Sequence, residues 1–471
     1  MIRFSALVLL IVNHALALAD TPKAALPDTF DPAAVDATIA EQVKSKGFVG
    51  LSVAVVRDGR IAFEKAYGRV ALDGPAATVD TPFAIGSVTK QFACACIFIL
   101  ADDGKLSVRD PVAKYFPRLT RAGDITLYDL MSHASGYPDY YPLDFVDRRM
   151  KKPIAADDLI REYAGGELDF EPGTRWSYSN TGYTILGRVV EKVSGEPFGQ
   201  FLERRILKPL GMTHTVFEPD PAKLPVARGH MSVLLGPAEA APLESPNWLN
   251  AAGGIFAPAG DIARWDVCLM TGRVLKLDSL KLMTTPRELK SGKIVDYGCG
   301  LSISRQSGET IWSHGGAVGG YLAMNIMVPR LKSAVVVLSN AEHADPSPLA
   351  RDLLGLLLKD AERREAAVPK IAGLPTKEAA AAMFRQLQSG AVDRSQLGDE
   401  YSVWLTEERL RAAAERLKAL GEPTSIEVSR VRERGGMEAS RVLFKFKSGA
   451  VEANMFRSPD GKIQQFLLTQ Q

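Results

Sequence analysis

The fifteen residues from Ser87 to Ala101 constrain the fold of this 471-residue chain more than any other segment. They follow Gly86, contain neither glycine nor proline, and are apolar on nearly every helical face. A segment of this kind favours a helix that is buried all round, and Gly104 marks its end. The sequence therefore predicts a large globular core built around one apolar helix.

Two polar residues stand at the start of this helix. Ser87 opens it and Lys90 follows three residues later, so the lysine amine comes within reach of the serine hydroxyl. Burial favours the neutral amine, which can accept the serine proton, and a helix N-terminus favours negative charge that develops on the serine. The pair predicts a serine nucleophile with a lysine base. The alternative is a serine helix cap followed by a solvated lysine, although S-x-x-K occurs only once in the chain.

The overall composition is that of a globular protein with 46% hydrophobic and 24% charged residues. The formal net charge is only +2, which argues against nucleic acid and anionic membranes as partners. We therefore expect a small-molecule or peptide substrate and no nucleic acid. The oligomeric state is left open, and the length allows two or three domains.

Residues 1–19 have the pattern of a secretory signal peptide. An arginine at position 3 precedes an apolar run from Phe4 to Leu18, and Ala17-Leu18-Ala19 forms an A-x-A cleavage site. This predicts a secreted chain from Asp20, with the periplasm as the expected compartment and no membrane span after cleavage. No cysteine follows the cleavage site, so a lipoprotein is not expected. A retained N-terminal anchor is the alternative.

Metal and nucleotide chemistry have no sequence signature in this chain. Neither an H-E-x-x-H pattern nor a glycine-rich phosphate loop occurs. The four cysteines are expected to be buried free thiols: Cys94, Cys96, Cys268 and Cys299. We therefore predict no cofactor and no metal site.

Hydrophobic periodicity and turn residues divide the chain into a main domain over residues 20–365, a linker over 366–375 and a small α+β module over 376–471. The predicted helices cover residues 31–44, 87–101, 126–133, 182–193, 348–359, 377–389 and 406–419. The predicted strands cover 49–57, 60–67, 300–305, 310–313, 321–328 and 333–338, with three or four more in the terminal module.

Two further motifs carry polar or glycine-rich patterns. Tyr178-Ser179-Asn180 is the only Y-x-N in the chain, and a phenol and a carboxamide two residues apart can face one cleft from an irregular loop. A tyrosine wedge with an asparagine helix cap is the alternative. His314-Gly315-Gly316-Ala317 follows a predicted strand, which indicates close backbone approach to a ligand or another strand. A plain hairpin loop is the alternative there.

These motifs, in the order Ser87-Val88-Thr89-Lys90, Tyr178-Ser179-Asn180 and a late glycine-rich strand end, resemble the serine β-lactamase and penicillin-binding family in its class C branch. This branch includes class C β-lactamases, D-alanyl-D-alanine carboxypeptidases, aminopeptidases and β-lactamase-like esterases. The resemblance covers about residues 30–360. It implies an α/β (α+β) fold with a largely antiparallel sheet flanked by helices and with a helical region. The small α+β C-terminal module lies outside the resemblance and is predicted from the sequence pattern alone.

The resemblance also implies roles for individual residues. Ser87 is the implied nucleophile, Lys90 and Tyr178 share its proton, and Tyr178 protonates the leaving group. Asn180 orients the acyl side of the substrate. The third motif of the family falls on His314-Gly315-Gly316, and we expect His133 to be structural.

The same resemblance places the oxyanion hole at the backbone N–H groups of Ser87 and Ala317, beside Gly316. At position 315 the chain departs from the family, because Gly315 stands where β-lactamases and carboxypeptidases usually have Thr or Ser. The missing hydroxyl could have bound a substrate carboxylate. This departure favours esters or peptides that lack that carboxylate.

The sequence thus predicts a secreted, cofactor-free serine hydrolase that acts through an acyl-enzyme on Ser87. The alternatives are a true class C-like β-lactamase or D-alanyl carboxypeptidase, and a penicillin-binding or sensing module that is acylated without turnover. An α/β-hydrolase is disfavoured because G-x-S-x-G does not occur.

Overall fold

The computed structural model describes residues 30–141, 143, 146–220, 223–234, 236–366 and 368–470. The predicted signal peptide lies outside these residues. The chain divides into two compact units, Met1–Leu357 and Leu358–Gln471. The linker over residues 366–375 and the domain bounds at 365 and 376 stay predictions.

The first unit contains most of the helices. They are α1 (Pro32–Lys46), α2 (Thr89–Asp102), α3 (Leu127–Met131), α4 (Ala156–Ala164), α5 (Asn180–Ser194), α6 (Phe198–Leu202), α7 (Lys208–Leu210), α8 (Asn250–Gly253), α9 (Ala259–Met270), α10 (Leu277–Met283) and α11 (Ser347–Ala366), whose last turns belong to the second unit. A π-helical turn, Glu203–Leu207, joins α6 to α7.

A six-stranded antiparallel sheet forms the centre of the first unit, in the order β10-β11-β12-β13-β1-β2. Its strands are β1 (Gly50–Arg57), β2 (Arg60–Gly68), β10 (Ser302–Gln306), β11 (Glu309–Val318), β12 (Tyr321–Val328) and β13 (Ser333–Ser339). Smaller sheets join β3 (Phe83–Ala84), β7 (Ile255–Ala257) and β4 (Val216–Phe217), then β5 (His230–Ser232) with β6 (Ala238–Ala240), and β8 (Arg287–Glu288) with β9 (Ile294–Val295).

The middle of the large sheet is covered on both faces. Every residue of β13 is buried, and β1 is buried from Gly50 to Val56. Continuous apolar runs such as Val335–Leu338 are typical of strands that have packing partners on both sides. Helix α9 packs against β1 and β13 and supplies one of these covers.

The predicted apolar helix is present, with a different first turn. Residues Gly86–Val88 form a 3₁₀ turn, and α2 begins at Thr89, so the expectation that Ser87 lies in the α-helix itself is wrong. The residues from Thr89 to Leu100 are all buried, as their composition predicts, whereas Ser87 is partly exposed. The tight turn therefore presents Ser87 at the edge of a buried helix.

The glycine-rich stretch belongs to a strand rather than to a loop. β11 continues through His314 to Val318 and pairs with β12, with Gly315 opposite Met324 and the turn at Gly319-Gly320. The expectation that a strand ends at His314 is wrong, because pairing with β12 outweighs the low strand propensity of glycine. In the first unit, helices α4, α6, α7, α8, α9 and α10 were not predicted from the sequence.

The second unit is an α+β module, as the sequence predicts. Its helices are α12 (Thr376–Ser389), α13 (Asp399–Trp404) and α14 (Glu407–Lys418), and its antiparallel sheet has the order β14 (Ser425–Arg434), β15 (Met437–Phe446), β16 (Gly449–Arg457) and β17 (Ile463–Gln470). Phe384 of α12 stacks on Phe444 of β15, with ring centroids 4.7 Å apart. Arg457 and Glu438 form a buried ion pair inside this unit.

The four cysteines are free, with Cys94, Cys96 and Cys299 buried and Cys268 partly exposed. None of the helices in the described part of the chain has the length and apolarity needed to cross a membrane. Within those same residues, no group of three or more His, Cys, Asp or Glu side chains could hold a metal ion.

Candidate active site

Lys90 lies in the first turn of α2 and its side chain is completely buried. Its Nζ atom is 3.0 Å from Ser87 Oγ, 2.8 Å from Asn180 Oδ1 and 2.7 Å from the carbonyl oxygen of Ala252. The S-x-x-K spacing thus brings amine and hydroxyl together across one turn. Asn180 at the start of α5 and Ala252 in α8 complete the surroundings of the amine.

Burial lowers the pKa of Lys90 from 10.5 to about 7, and the negative charge of Asp139 opposes this decrease. A large share of the lysine is therefore neutral at neutral pH. A neutral amine has two N–H bonds and one lone pair. The oxygens of Asn180 and Ala252 can only accept hydrogen bonds, so they take the two N–H groups, and the lone pair faces the hydroxyl of Ser87.

Tyr178 lies on the other side of the amine. Its ring centroid is 4.8 Å from Lys90 Nζ, and the nearby Ser87 side chain acts to lower the pKa of the phenol. Burial raises the pKa of Tyr178 above its ordinary value, so the phenol keeps its proton at neutral pH. A protonated phenol beside the serine can donate a proton to a departing group.

His133 forms hydrogen bonds with the backbone of the loop that contains Tyr178. Its Nδ1 accepts a hydrogen bond from the backbone N–H of Ser179 at 3.1 Å, and its carbonyl accepts one from the N–H of Ser177 at 3.0 Å. The imidazole and the phenol of Tyr178 have ring centroids 4.3 Å apart. Burial lowers the pKa of His133 well below its usual value, so the ring is neutral. These contacts match the structural role expected for His133.

Both ends of the Asn180 side chain are engaged by protein groups. The Oδ1 atom accepts from Lys90, and Nδ2 donates to the carboxylate of Asp139, at 3.1 Å from Oδ1 and 3.3 Å from Oδ2. Asn180 therefore connects the lysine to a carboxylate that the sequence analysis did not include in the site.

His314 lies near Tyr178, with ring centroids 6.3 Å apart. Its Nε2 is 2.9 Å from the hydroxyl of Tyr297 and its Nδ1 is 2.6 Å from the carbonyl oxygen of Gly315. Burial, together with the nearby Lys90, lowers the pKa of His314 to about 4. The ring is thus neutral at neutral pH and does not supply a positive charge for a substrate carboxylate.

β11 runs directly against the turn that carries Ser87. A Cβ atom on Gly316 would lie 2.0 Å from the carbonyl oxygen of Ile85, and one on Gly86 would lie 2.8 Å from the backbone nitrogen of Ala317. Only glycine allows this approach, and Gly86 also has a φ of 50°. Because β10 pairs with β11 only as far as Ser313, one edge of β11 beyond that point has no strand neighbour among the described residues.

Three contributors to this site were missed by sequence reasoning: Asp139, Tyr297 and the carbonyl of Ala252. Asp139 lies in the aromatic segment Tyr137-Pro138-Asp139-Tyr140-Tyr141, and a carboxylate among aromatic residues was the available signal. No residue type in the sequence could have indicated the carbonyl of Ala252, because every residue has a backbone carbonyl oxygen.

The family model described as Beta-lactamase matches residues 35–359. The chain belongs to the Beta-lactamase family. It is 30% identical over 315 residues to Beta-lactamase-like protein 2 of Dictyostelium discoideum, covering 63% of this chain and 57% of that protein. It is 28% identical over 300 residues to the D-aminopeptidase of Brucella anthropi, covering 62% of this chain and 56% of that protein. The chain thus spans a little over half the length of these two relatives.

Among solved structures, the octameric penicillin-binding protein homologue from Pyrococcus abyssi matches with a TM-score of 0.63 and 23% identity, over 94% of this chain and 96% of that one. At this identity the match establishes the fold. The chain is therefore a β-lactamase-fold member of a family of serine hydrolases.

Proposed function

We propose that this β-lactamase-fold hydrolase transfers an acyl group to Ser87 and then to water. The contact between Lys90 Nζ and Ser87 Oγ, at 3.0 Å inside a buried site, carries the proposal. Neutral Lys90 accepts the Ser87 proton while Oγ attacks the carbonyl carbon of the substrate, and a new C–O bond forms. The tetrahedral oxyanion lies between the backbone N–H groups of Ser87 and Ala317.

Collapse of this intermediate expels the leaving group and leaves an acyl ester on Ser87. Tyr178 supplies the proton to the leaving oxygen or nitrogen and regains one from the ammonium of Lys90. In the second half a water molecule attacks the ester carbonyl and the same two side chains take its proton. The C–O bond to Ser87 then breaks, the acid product leaves, and the proton passes to Ser87 Oγ. No net charge is created in either half of the cycle.

For the substrate we propose an ester or an amide, including peptides, without a carboxylate beside the scissile bond. Neutral His314 and the missing hydroxyl at Gly315 both disfavour recognition of such a carboxylate. Trp176 has 37% of its surface exposed and its ring lies 6.5 Å from that of Tyr178, which supports an apolar group on the substrate. The D-aminopeptidase relative supports the amide option.

The proposed location is outside the cytoplasm, with the periplasm as the compartment. The signal-peptide pattern of residues 1–19 supports this proposal. Mass spectrometry of the protein secreted by a bacterial host tests it: a mature N-terminus at Asp20 is expected, and a retained leader would contradict the cleavage site.

The experiment for the chemistry combines labelling and turnover. The mature protein is mixed with a fluorophosphonate and its intact mass is measured, in parallel with hydrolysis of p-nitrophenyl butyrate and of nitrocefin. Stoichiometric labelling and ester turnover are expected for the wild type. Both should be lost in Ser87→Ala and kept in Ser107→Ala, a matched change at an exposed serine.

Other results of these assays would indicate a different function. Rapid nitrocefin turnover would identify a β-lactamase, and release of D-alanine from a D-alanyl-D-alanine peptide would identify a carboxypeptidase. Labelling without any turnover would identify a sensing module. Absence of labelling in the wild type would contradict Ser87 as the nucleophile. Gly315→Thr, which adds the hydroxyl common in the family, is expected to raise nitrocefin turnover relative to ester turnover.

A further inference from the structure

We infer that Asp139 is a positioning residue that fixes the side-chain amide of Asn180, so that the lone pair of Lys90 is directed at Ser87. This inference rests on the proposed function of Lys90 as the base. Nothing in the S-x-x-K or Y-x-N motifs includes Asp139, which lies in the loop between them.

The contacts of Asp139 converge on the start of α5. Its Oδ1 accepts from the backbone N–H of Asn180 at 3.0 Å, from Asn180 Nδ2 at 3.1 Å and from the backbone N–H of Tyr141 at 3.1 Å. The preceding carbonyl, of Pro138, accepts from Thr181 Oγ1 at 2.6 Å. The loop and the first turn of α5 are thus joined by several hydrogen bonds, and the carboxylate has little freedom to move.

A carboxylate can only accept hydrogen bonds, and this determines which way the amide of Asn180 points. With Nδ2 toward Asp139, Oδ1 faces Lys90. The flipped amide would place its oxygen against the carboxylate and its NH₂ group against the amine. Such a flip would remove an acceptor from Lys90 and bring two donors face to face.

The orientation of Asn180 in turn determines the direction of the Lys90 lone pair. With Asn180 Oδ1 and the carbonyl of Ala252 both accepting, the two N–H bonds of the neutral amine are occupied. The remaining direction points to Ser87 Oγ. If the amide could rotate freely, an N–H of Lys90 would compete for Ser87, and the amine would be a donor to the nucleophile instead of a base.

Asp139 also acts on Lys90 through its charge. Burial raises the pKa of Asp139, whereas the backbone N–H groups of Asn180 and Tyr141 and the charge of Lys90 favour its ionised form. The titratable groups that face the amine are Ser87 and Cys94 from its own segment, Asp139 and His133 from the loops, Tyr178 and Tyr183 around α5, and His314 from β11. Of these, Asp139 and Cys94 favour the ammonium form. Removal of the carboxylate is therefore expected to move the acid limb of the rate profile to lower pH.

The test measures kcat, KM and the pH profile of ester hydrolysis for Asp139→Asn, Asp139→Ala, Asn180→Ala and the double variant Asp139→Ala/Asn180→Ala, each normalised to fluorophosphonate-reactive sites. Asp73→Asn, at an exposed position, is the matched control. Asp139→Ala should lower kcat on the order of 100-fold with little change in KM. Asp139→Asn should retain more activity because it still offers one acceptor.

The double variant separates positioning from a general structural role. If Asp139 acts through Asn180, its removal has almost no further effect on kcat once Asn180 is alanine. Both Asp139 variants should also shift the acid limb to lower pH, whereas Asp73→Asn should not. Additive losses in the double variant, or an unmoved acid limb, would overturn the inference. If the wild type itself is neither labelled nor active, it is the proposed function that fails.

Discussion

Each of the two units buries a basic side chain, and the two side chains differ in their partners. In the second unit, the guanidinium of Arg457 lies 2.9 Å from both carboxylate oxygens of Glu438 and donates to the carbonyl of Leu374. In the first unit, the described hydrogen-bond partners of Lys90 are three uncharged oxygens. Both basic side chains are almost completely buried.

This difference separates a structural charge from a reactive one. A guanidinium does not deprotonate in proteins, and its bidentate contact with a carboxylate compensates for the lost hydration. A buried lysine without a directly bonded carboxylate loses its proton instead, since the neutral form costs less to bury. The cost of burial is thus compensated by a carboxylate in one unit and yields a neutral base in the other.

The largest expected effect is on activity. Lys90→Met removes the base while keeping an unbranched apolar side chain, and should lower kcat/KM for p-nitrophenyl butyrate by about 10²- to 10⁴-fold, the usual contribution of a general base. Lys105→Met, at an exposed lysine, is the control. Activity of Lys90→Met within tenfold of the wild type would show that the lysine is a structural cation, like Arg457.

The corresponding change in the second unit should act on stability. Arg457→Met leaves Glu438 buried without a countercharge, which costs about 3–5 kcal/mol. Hydrogen exchange of the full chain should show faster exchange in β15 and β16. The double variant Arg457→Met/Glu438→Leu should recover much of the protection. Equal exchange in the single and double variants would contradict the ion-pair explanation.

Substitutions at Gly316 and Gly315 test whether activity requires the close approach of β11 to the turn that carries Ser87. Gly316→Ala places a methyl group 2.0 Å from the carbonyl oxygen of Ile85, so the strand has to shift. We expect kcat for ester hydrolysis to fall on the order of 100-fold. Gly315→Ala is the matched control, because its nearest neighbouring atom is 3.8 Å away, and it should stay within about threefold of the wild type. Similar losses in both would argue against the close approach.

The pH profile distinguishes a neutral lysine from a charged one. Because the pKa of Lys90 is lowered to about 7, the ammonium form prevails below that pH. We expect kcat/KM to fall about tenfold per pH unit below 7 and to level off above it. His314, with a pKa of about 4, does not titrate in this range. An acid limb above pH 9 would mean that Lys90 keeps an ordinary pKa.

The smallest effect concerns Asp266, a buried acid whose described hydrogen-bond partner is the neutral side chain of Asn325. Asn325 Nδ2 donates to its Oδ2 at 2.6 Å, and burial raises its pKa well above the usual value. The folded state therefore binds a proton that the unfolded chain releases above about pH 4, and stability falls as the pH rises from there. Asp266→Asn should be more stable than the wild type at pH 7, because the buried amide is neutral without binding a proton.

Thermal unfolding of Asp266→Asn and the wild type at pH 4 and pH 7 measures this difference. The gain should be present at pH 7 and nearly absent at pH 4. Asp73→Asn, at an exposed position, should show no such pH dependence. A gain of equal size at both pH values would mean that the effect is not one of ionisation.

Local sequence patterns predicted the parts of the fold that depend on neighbouring residues. The absence of glycine and proline after Ser87 indicated α2, and Asp58-Gly59 indicated the turn between β1 and β2. The capping box formed by Thr126 and Asp129 is also present at the start of α3. In each case the determining contacts lie within a few residues of one another.

Features that depend on distant partners were not predictable in this way. β11 continues through Gly315 because β12 pairs with it, against the local propensity of glycine. The contact between Asp139 and Asn180 joins positions forty-one residues apart and has no local pattern. The family motifs brought Ser87, Lys90 and Asn180 into one hypothesis, but their hydrogen-bond directions depend on residues outside those motifs.

The contact between Gly86 and the backbone of Ala317 also has a consequence for the timing of biosynthesis. A ribosome makes the turn that carries Ser87 long before it makes β11, so the nascent chain holds the nucleophile without the strand that lies against it. β13, which pairs with β1, is made later still. In the proposed mechanism, the oxyanion site is therefore incomplete until the last strands of the central sheet have been made.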